Sequence, residues 1–281
     1  MCGRLACTLS PDSICKACSL KDTKGKEYYA PEWVNSNDQW SYRPSHNVAP
    51  TDVTPVLVSG KHFPGLASDV EKAVVHPMIW GMIPPWHKGA YNNHKMSTNN
   101  CRLENVLESR LYSVPLYKGQ RCVVICDGFY EWQTTKGSQK QPYFIYAPQV
   151  EGVRIENKST WDESWSEETG WHGPQLLKLA ALFDIWNWLN FGNLPAKAAL
   201  ELLQPTKQLI WHPVDTLVNN SRNKDPRCNN PKESKPKSAS SSLMESWLKR
   251  SRVKQEDSGS NDGDVNSPCL DQFPSKRKKE D

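Results

Sequence analysis

The chain has 281 residues, with 35 Lys and Arg against 31 Asp and Glu, and 37% of it is hydrophobic; that is enough apolar surface for one large domain or two small ones. No apolar run approaches the ~20 residues that a membrane-spanning helix needs, and the start shows no basic-then-apolar leader. Nine cysteines, an odd number in a chain with no secretory signature, read as mostly reduced thiols, which excludes a small disulfide scaffold.

Charge and aromatic content divide the chain. Residues 221–281 hold 14 Lys and Arg and 10 Asp and Glu, so the first 220 residues balance to zero, and eleven of the twelve tryptophans lie in that first part. The expectation is an aromatic-rich globular body followed by a basic tail.

Taken in chain order, Ser10-Pro11-Asp12 supplies a capping side chain, a proline at the first helical position and an early acid, which predicts a short helix through Cys18. Apolar runs bounded by Gly, Pro or Asn predict strands at Pro55–Val58, Met78–Ile83, Arg121–Cys126 and Gln141–Tyr146, since they are rich in β-branched and aromatic residues. Gln149–Gly173, crowded with acids and Trp, reads as a poorly structured surface insertion. Gln175–Trp186 reads as a strand and Ala196–Leu203 as a short amphipathic helix. The body is therefore mixed α and β with strands dominating. From Asn223 onward Ser, Lys, Asn and Pro prevail, the composition of a disordered tail. Within it, Leu243–Arg250 can form one turn with Met244, Trp247 and Leu248 on one side. Ser275-Lys276-Arg277-Lys278-Lys279 is either a nuclear address or a solvated charge run.

Cys2 is the most informative residue for chemistry. Removal of Met1 leaves an N-terminal cysteine, whose α-amine and thiol have reference pKa values of about 8 and about 8.5, so both are partly nucleophilic near neutral pH. Such a 1,2-aminothiol converts an aldehyde first to an imine and then to a thiazolidine ring; from position alone, an incidental second residue is the competing reading. Glu131, between Tyr130 and Trp132, is a candidate general acid or base, or else a solvent-facing carboxylate, because alternation sends its aromatic neighbours to the other face. Asn99-Asn100-Cys101-Arg102 and Arg110 combine amides with guanidinium forks suited to phosphate, or form a plain polar loop. Trp86, after Pro84-Pro85, is a stacking platform for an unpaired base or a core residue. Cys15 and Cys18 make a lone CxxC with no second pair, so neither a metal nor a cofactor is expected.

Met1-Cys2-Gly3-Arg4, Asn47-Val48-Ala49-Pro50, Trp80-Gly81-Met82-Ile83-Pro84, Asn100-Cys101-Arg102, Asp127-Gly128-Phe129-Tyr130-Glu131-Trp132, Trp211-His212-Pro213-Val214 and Asn219-Asn220-Ser221-Arg222-Asn223 follow one another here. This set resembles the SRAP family, named for SOS-response-associated peptidase, over residues 2–223, with 224–281 as the tail. The resemblance implies an α+β fold with a mostly antiparallel, barrel-like β core and short flanking helices. It also implies a monomer that binds single-stranded DNA at abasic sites and shields them through a thiazolidine crosslink. In that reading Cys2 is the nucleophile, Asn100 orients the amine and sugar, and Glu131 is the acid/base. Arg4, Asn47, Arg102 and Arg110 contact the DNA backbone, Trp86 stacks on a base, and Pro50 sits near the bend of the strand. The Met244–Lys249 turn resembles a weak ligand of the replication sliding clamp, implying a nuclear, fork-associated protein. Two other classes remain open: a thiol peptidase or autopeptidase, and a non-catalytic reader of DNA or of 5-hydroxymethylcytosine. One departure is notable. After Phe183-Asp184-Ile185-Trp186 the chain passes directly into Asn187-Trp188-Leu189-Asn190-Phe191-Gly192, where the family has further strands and a catalytic histidine. Neither His172 nor His212 is positioned to replace it.

Overall fold

The computed structural model describes residues 3–232 apart from 23, 36–39, 70, 71, 92, 94, 95, 136, 184–195, 202 and 204–207. Cys2, the Met244–Lys249 turn and the Ser275–Lys279 run therefore lie outside the described residues. In chain order the elements are β1 (Arg4–Cys7), α1 (Pro11–Ala17), β2 (Leu20–Lys21), β3 (Tyr28–Tyr29), β4 (Glu32–Trp33), β5 (Ser45–Val48), β6 (Val53–Ser59), β7 (Ala73–Ile79), α2 (Ser113–Tyr117), β8 (Arg121–Cys126), β9 (Gly128–Thr134), β10 (Lys140–Tyr146), β11 (Trp165–Ser166), β12 (Gly170–Trp171), β13 (Leu177–Leu182), α3 (Ala196–Glu201) and β14 (Ile210–Pro213).

Local rules explain most of these boundaries. The Ser10 hydroxyl accepts from the Ser13 N–H at 3.1 Å, satisfying an orphan donor at the start of α1. Pro11 occupies the first turn, where no N–H is needed. The strand predicted at Arg121–Cys126 matches β8, and those at Pro55–Val58 and Gln141–Tyr146 lie within β6 and β10. The Met78–Ile83 strand is shorter than expected, because β7 ends at Ile79 and the chain turns at Gly81, whose φ of +125° few other residues adopt. Similarly, β13 covers only Leu177–Leu182 of the longer strand predicted there, and α3 ends at Glu201.

The fold is α+β and almost wholly antiparallel. Two five-stranded sheets run β14-β10-β9-β1-β5 and β13-β8-β6-β7-β4; the two-residue contact of β4 with β7 is parallel. Neither sheet closes into a barrel among the described residues. Leu5, Cys7 and Val48 of the first sheet pack with Val75, Ile125 and Leu177 of the second, and α1 adds Ile14 and Cys15. The hydroxyl of Tyr42, buried in the same core, donates to the carbonyls of Cys7 at 2.9 Å and Leu9 at 3.0 Å.

Two expectations need correction. Residues 149–173 are not a loose insertion: Ile155 is 1% exposed and the Ser13 hydroxyl donates to Glu163 at 2.7 Å. Every acid of the segment but Glu156 is exposed while Ile155 and Trp161 anchor it, a division that composition alone conceals. The compact unit also runs on to Lys232, past the expected boundary at 223. Asp225 caps the turn that follows by accepting from the Arg227 N–H at 2.8 Å, Cys228 is fully buried, and Val214 bridges Pro231.

Asp127 and Gly128 open the aromatic strand β9. A Cβ on Gly128 would lie 2.5 Å from the Ile145 carbonyl oxygen and 2.6 Å from the Phe144 ring, so only glycine permits this crossing. Asp127 is fully buried. Burial pushes its carboxyl up to about 6, against the opposing pull of the Thr8 hydroxyl and N–H and of the Lys158 ammonium. A carboxyl raised in the folded state stabilises the fold below its unfolded pKa of about 3.9 and loses that contribution as pH rises through about 6. Asp127→Asn is therefore expected to stabilise the protein by about 3 kcal/mol at pH 8 and by well under about 1 kcal/mol near pH 4. Urea unfolding at the two pH values measures the difference; an equal effect at both would exclude the ionised carboxylate as its cause.

Candidate functional site

The start of β1 is held from three sides. Arg4 lies opposite Tyr130 of β9, with Leu5 opposite Phe129. The pairing starts at Arg4, and Glu131, the residue after Tyr130, is half-buried on β9. The Arg4 guanidinium donates from Nη1 to the Val218 carbonyl at 2.9 Å. Burial lowers its pKa from the ordinary value, and the nearby Asp52 carboxylate pulls the other way.

Asn47, expected at the DNA surface, is instead fully buried. Its Nδ2 donates to the carbonyls of Val218 at 3.3 Å, Asn220 at 3.0 Å and Asn223 at 2.8 Å. One amide thus ties β5 to a loop some 170 residues away, and a group so engaged has no donor left for phosphate. Lys224 completes the clasp, donating to the Asn47 carbonyl at 2.5 Å and pairing with Asp52 at 2.7 Å. That pair is partly exposed, so geometry rather than stability is its main contribution. Trp132, next to Glu131, donates from its indole to Asn219 of the same loop at 2.7 Å.

Asp52 also accepts from the Ala49 N–H at 2.9 Å, closing the turn that carries half-buried Pro50. Thr51 in that turn has φ +77°. The turn is stitched to Trp80 by the Thr51 N–H to the Trp80 carbonyl at 2.8 Å and the Trp80 N–H to the Asp52 carbonyl at 2.9 Å. The Trp80 indole reaches the Asn99 carbonyl at 3.1 Å, and the Tyr112 hydroxyl reaches the Asn100 carbonyl at 3.1 Å. These bonds set the walls of a cleft of about 400 Å³ lined by Leu5, Trp80, Asn99 and Asn100. A second groove of about 390 Å³, lined by Pro50, Trp80 and Asn99, adjoins it. Strand β1 and Asn100 therefore share one cleft, and Pro50 borders the next.

The remaining expected residues lie at the surface. Trp86 is 56% exposed, so it is not a core residue, and Arg102 and Arg110 are exposed. None of the three lines either cavity. His76 is the histidine in the cleft lining; it is buried, its Nδ1 is 2.6 Å from the Val34 carbonyl oxygen, and burial lowers its pKa. His212 packs against Tyr146 and Phe144 and His172 is bonded to Thr169 at 2.8 Å, so both are engaged elsewhere. Among the described residues no group of three or more His, Cys, Asp or Glu could hold a metal ion, and no helix is long and apolar enough to cross a membrane. Trp80, Asp52 and Lys224 were not singled out from the sequence. Trp80 was legible as part of Trp80–Pro84; Asp52 and Lys224, 172 positions apart, carry no local signal.

Comparison with known proteins adds four matches. The family model described as SOS response associated peptidase (SRAP) matches residues 1–187. The abasic site processing protein HMCES of Xenopus tropicalis is 38% identical over 326 aligned positions, covering 99% of this chain and 93% of that protein. The mouse (Mus musculus) protein of the same name is 34% identical over 304, covering 91% and 84%, and abasic site processing protein YoqW of Bacillus subtilis is 26% identical over 187, covering 66% and 62%. Since 99% of this chain is about 278 residues, about 48 of the 326 positions aligned with the frog protein have no residue of this chain opposite them.

Proposed function

Because the chain belongs to the SOS response associated peptidase (SRAP) family, we propose that it captures abasic sites in single-stranded DNA, with Cys2 as the attacking residue. The single observation that supports this reading is the register of β1 on β9, which sets Arg4, two residues after Cys2, opposite Tyr130, the neighbour of Glu131, while Leu5 and Asn100 line one cleft. An opened abasic sugar carries an aldehyde. Once Met1 is removed, the Cys2 amine adds to that carbon and water leaves as the imine forms. The thiolate then adds to the imine carbon and the nitrogen takes up a proton, closing the thiazolidine; the net reaction releases one water. Glu131 moves the protons of these steps, and Asn100 orients the amine and sugar.

In this proposal the DNA backbone is held by Arg102 and Arg110, which are exposed, and an unpaired base stacks on Trp86. Pro50 marks the bend. Arg4 and Asn47 act at one remove, since they fix the loop at Val218–Asn223 against the start of β1. The proposed setting is DNA repair in the nucleus at replication forks, with the Met244–Lys249 turn directed to the sliding clamp and the Ser275–Lys279 run serving as the nuclear address. The positions that relatives carry and this chain lacks fall, in this reading, at the Trp186–Asn187 junction.

The test is direct. Protein with a native N-terminus, mixed with single-stranded DNA bearing one abasic site, is expected to give a shifted band on a denaturing gel. The same DNA reduced beforehand with borohydride, which removes the aldehyde, is expected to give none. A band of equal strength with reduced DNA would rule out aldehyde chemistry.

A further inference from the structure

A sheet edge offers a row of backbone groups to any strand that can align with it, and proteins blunt such edges with short strands, prolines or charges. Among the described residues, three of the four edges of the two five-stranded sheets are blunted. The edge strand β4 has two residues and β5 four, while β14 has four and ends on Pro213. The fourth is β13, Leu177-Lys178-Leu179-Ala180-Ala181-Leu182. It has six residues, no proline, no acid and a single lysine, and among the described residues it is paired on one side only, by β8.

The surroundings of this edge are thinly covered. Beside Leu182 lies a small apolar cluster in which Val106 and Leu116 are buried and Tyr112 and Leu200 half-buried. On the same chain segments Leu103 and Val114 are about half exposed, and Tyr117 is 63% exposed. The family match ends five residues beyond β13, and this chain lacks about 48 positions present in the frog relative.

We propose that β13 is a self-association edge, on which a second copy of this chain pairs its own β13 antiparallel about a two-fold axis, joining two five-stranded sheets. The strand suits itself as a partner. Directly opposite residues of an antiparallel pair share a face, so a two-fold perpendicular to the sheet passes through one residue and its mate. Placed on Ala180, it sets Leu179 opposite Ala181, large against small, and Lys178 opposite Leu182, with no like charges facing. The two Lys178 side chains stand four positions apart along the strands, about 13 Å. Ala180 and Lys178 are exposed, so the pairing asks nothing of the core.

The experiment is light scattering coupled to gel filtration on the full 281-residue chain without DNA, which keeps it independent of the proposed crosslinking. The wild-type chain at tens of micromolar is expected to run at twice the chain mass. A180K and A180E, which each set like charges opposite one another at the two-fold, are expected to run at the chain mass with unchanged circular dichroism. Their equimolar mixture is expected to return to twice the chain mass, because Lys then faces Glu. The proposal is overturned if the wild-type chain stays at single mass, if either variant alone keeps the double mass, or if the mixture stays at single mass.

Discussion

Replacing Cys2 with Ala is expected to abolish spontaneous covalent attachment to abasic single-stranded DNA while leaving non-covalent affinity within about threefold. The large effect follows from the chemistry of the two steps. An N-terminal alanine keeps the α-amine and can form the imine, but an imine hydrolyses in water unless a second nucleophile closes on it. Only the neighbouring thiolate can do so in a five-membered ring. The affinity is preserved because the phosphate and base contacts proposed for Arg102, Arg110 and Trp86 are untouched, and backbone charge dominates such binding. Two readouts separate the roles of amine and thiol. On a denaturing gel the C2A band is expected to vanish, and it is expected to reappear when borohydride is present during incubation, which traps the imine. Persistence of a C2A band without borohydride would sink the assignment. Loss of binding as well as crosslinking would instead point to Cys2 as a folding residue.

Glu131→Gln is expected to slow crosslink formation by about 10²-fold or more, the usual range for a positioned acid or base, without changing the equilibrium affinity for the DNA. Gln is nearly isosteric, so it keeps the half-buried packing of β9 beside Tyr130 and Trp132 and removes only the capacity to exchange a proton. The rate is read by quenching the reaction at set times and resolving it on a denaturing gel. Release should slow in parallel, because ring opening passes through the same proton transfers in reverse. A rate within threefold of wild type would assign Glu131 to the strand surface, the alternative that its alternation with Tyr130 and Trp132 already allowed. Asp127, four residues away on the same segment, offers a contrast. It is fully buried and its effect is expected in pH-dependent stability, so the two carboxylates should separate cleanly in these assays.

Some of this protein was legible without a structure because the responsible forces are local. Ser10-Pro11 starts α1 through a side-chain cap and a missing N–H, both within one turn. The β-branched run Arg121–Cys126 is a strand at its predicted bounds, since it can satisfy two apolar faces. The 1,2-aminothiol argument for Cys2 needs only two adjacent functional groups on one residue. Asn47 shows the limit. An asparagine in a polar setting reads as a surface contact, yet its amide closes three carbonyls that arrive from residues 218–223, and nothing near position 47 announces them. Residues 149–173 failed for a related reason: their charges dominate composition, while Ile155 alone supplies the fully buried anchor.

The sequence by itself determined the class of the fold and the family motifs and supplied the nucleophile proposed here, because strand pattern, turn residues and the reactivity of an N-terminal cysteine are properties of short stretches. The tertiary structure alone decided which distant groups meet. Arg4 joins the Val218 loop and Lys224 joins Asp52, Trp80 joins Asn99, and β13 is left at an edge. Those meetings depend on how two sheets pack across the Leu5, Val75 and Ile125 core. Packing is non-directional and collective, so it sets contacts between residues whose local sequences carry no record of one another.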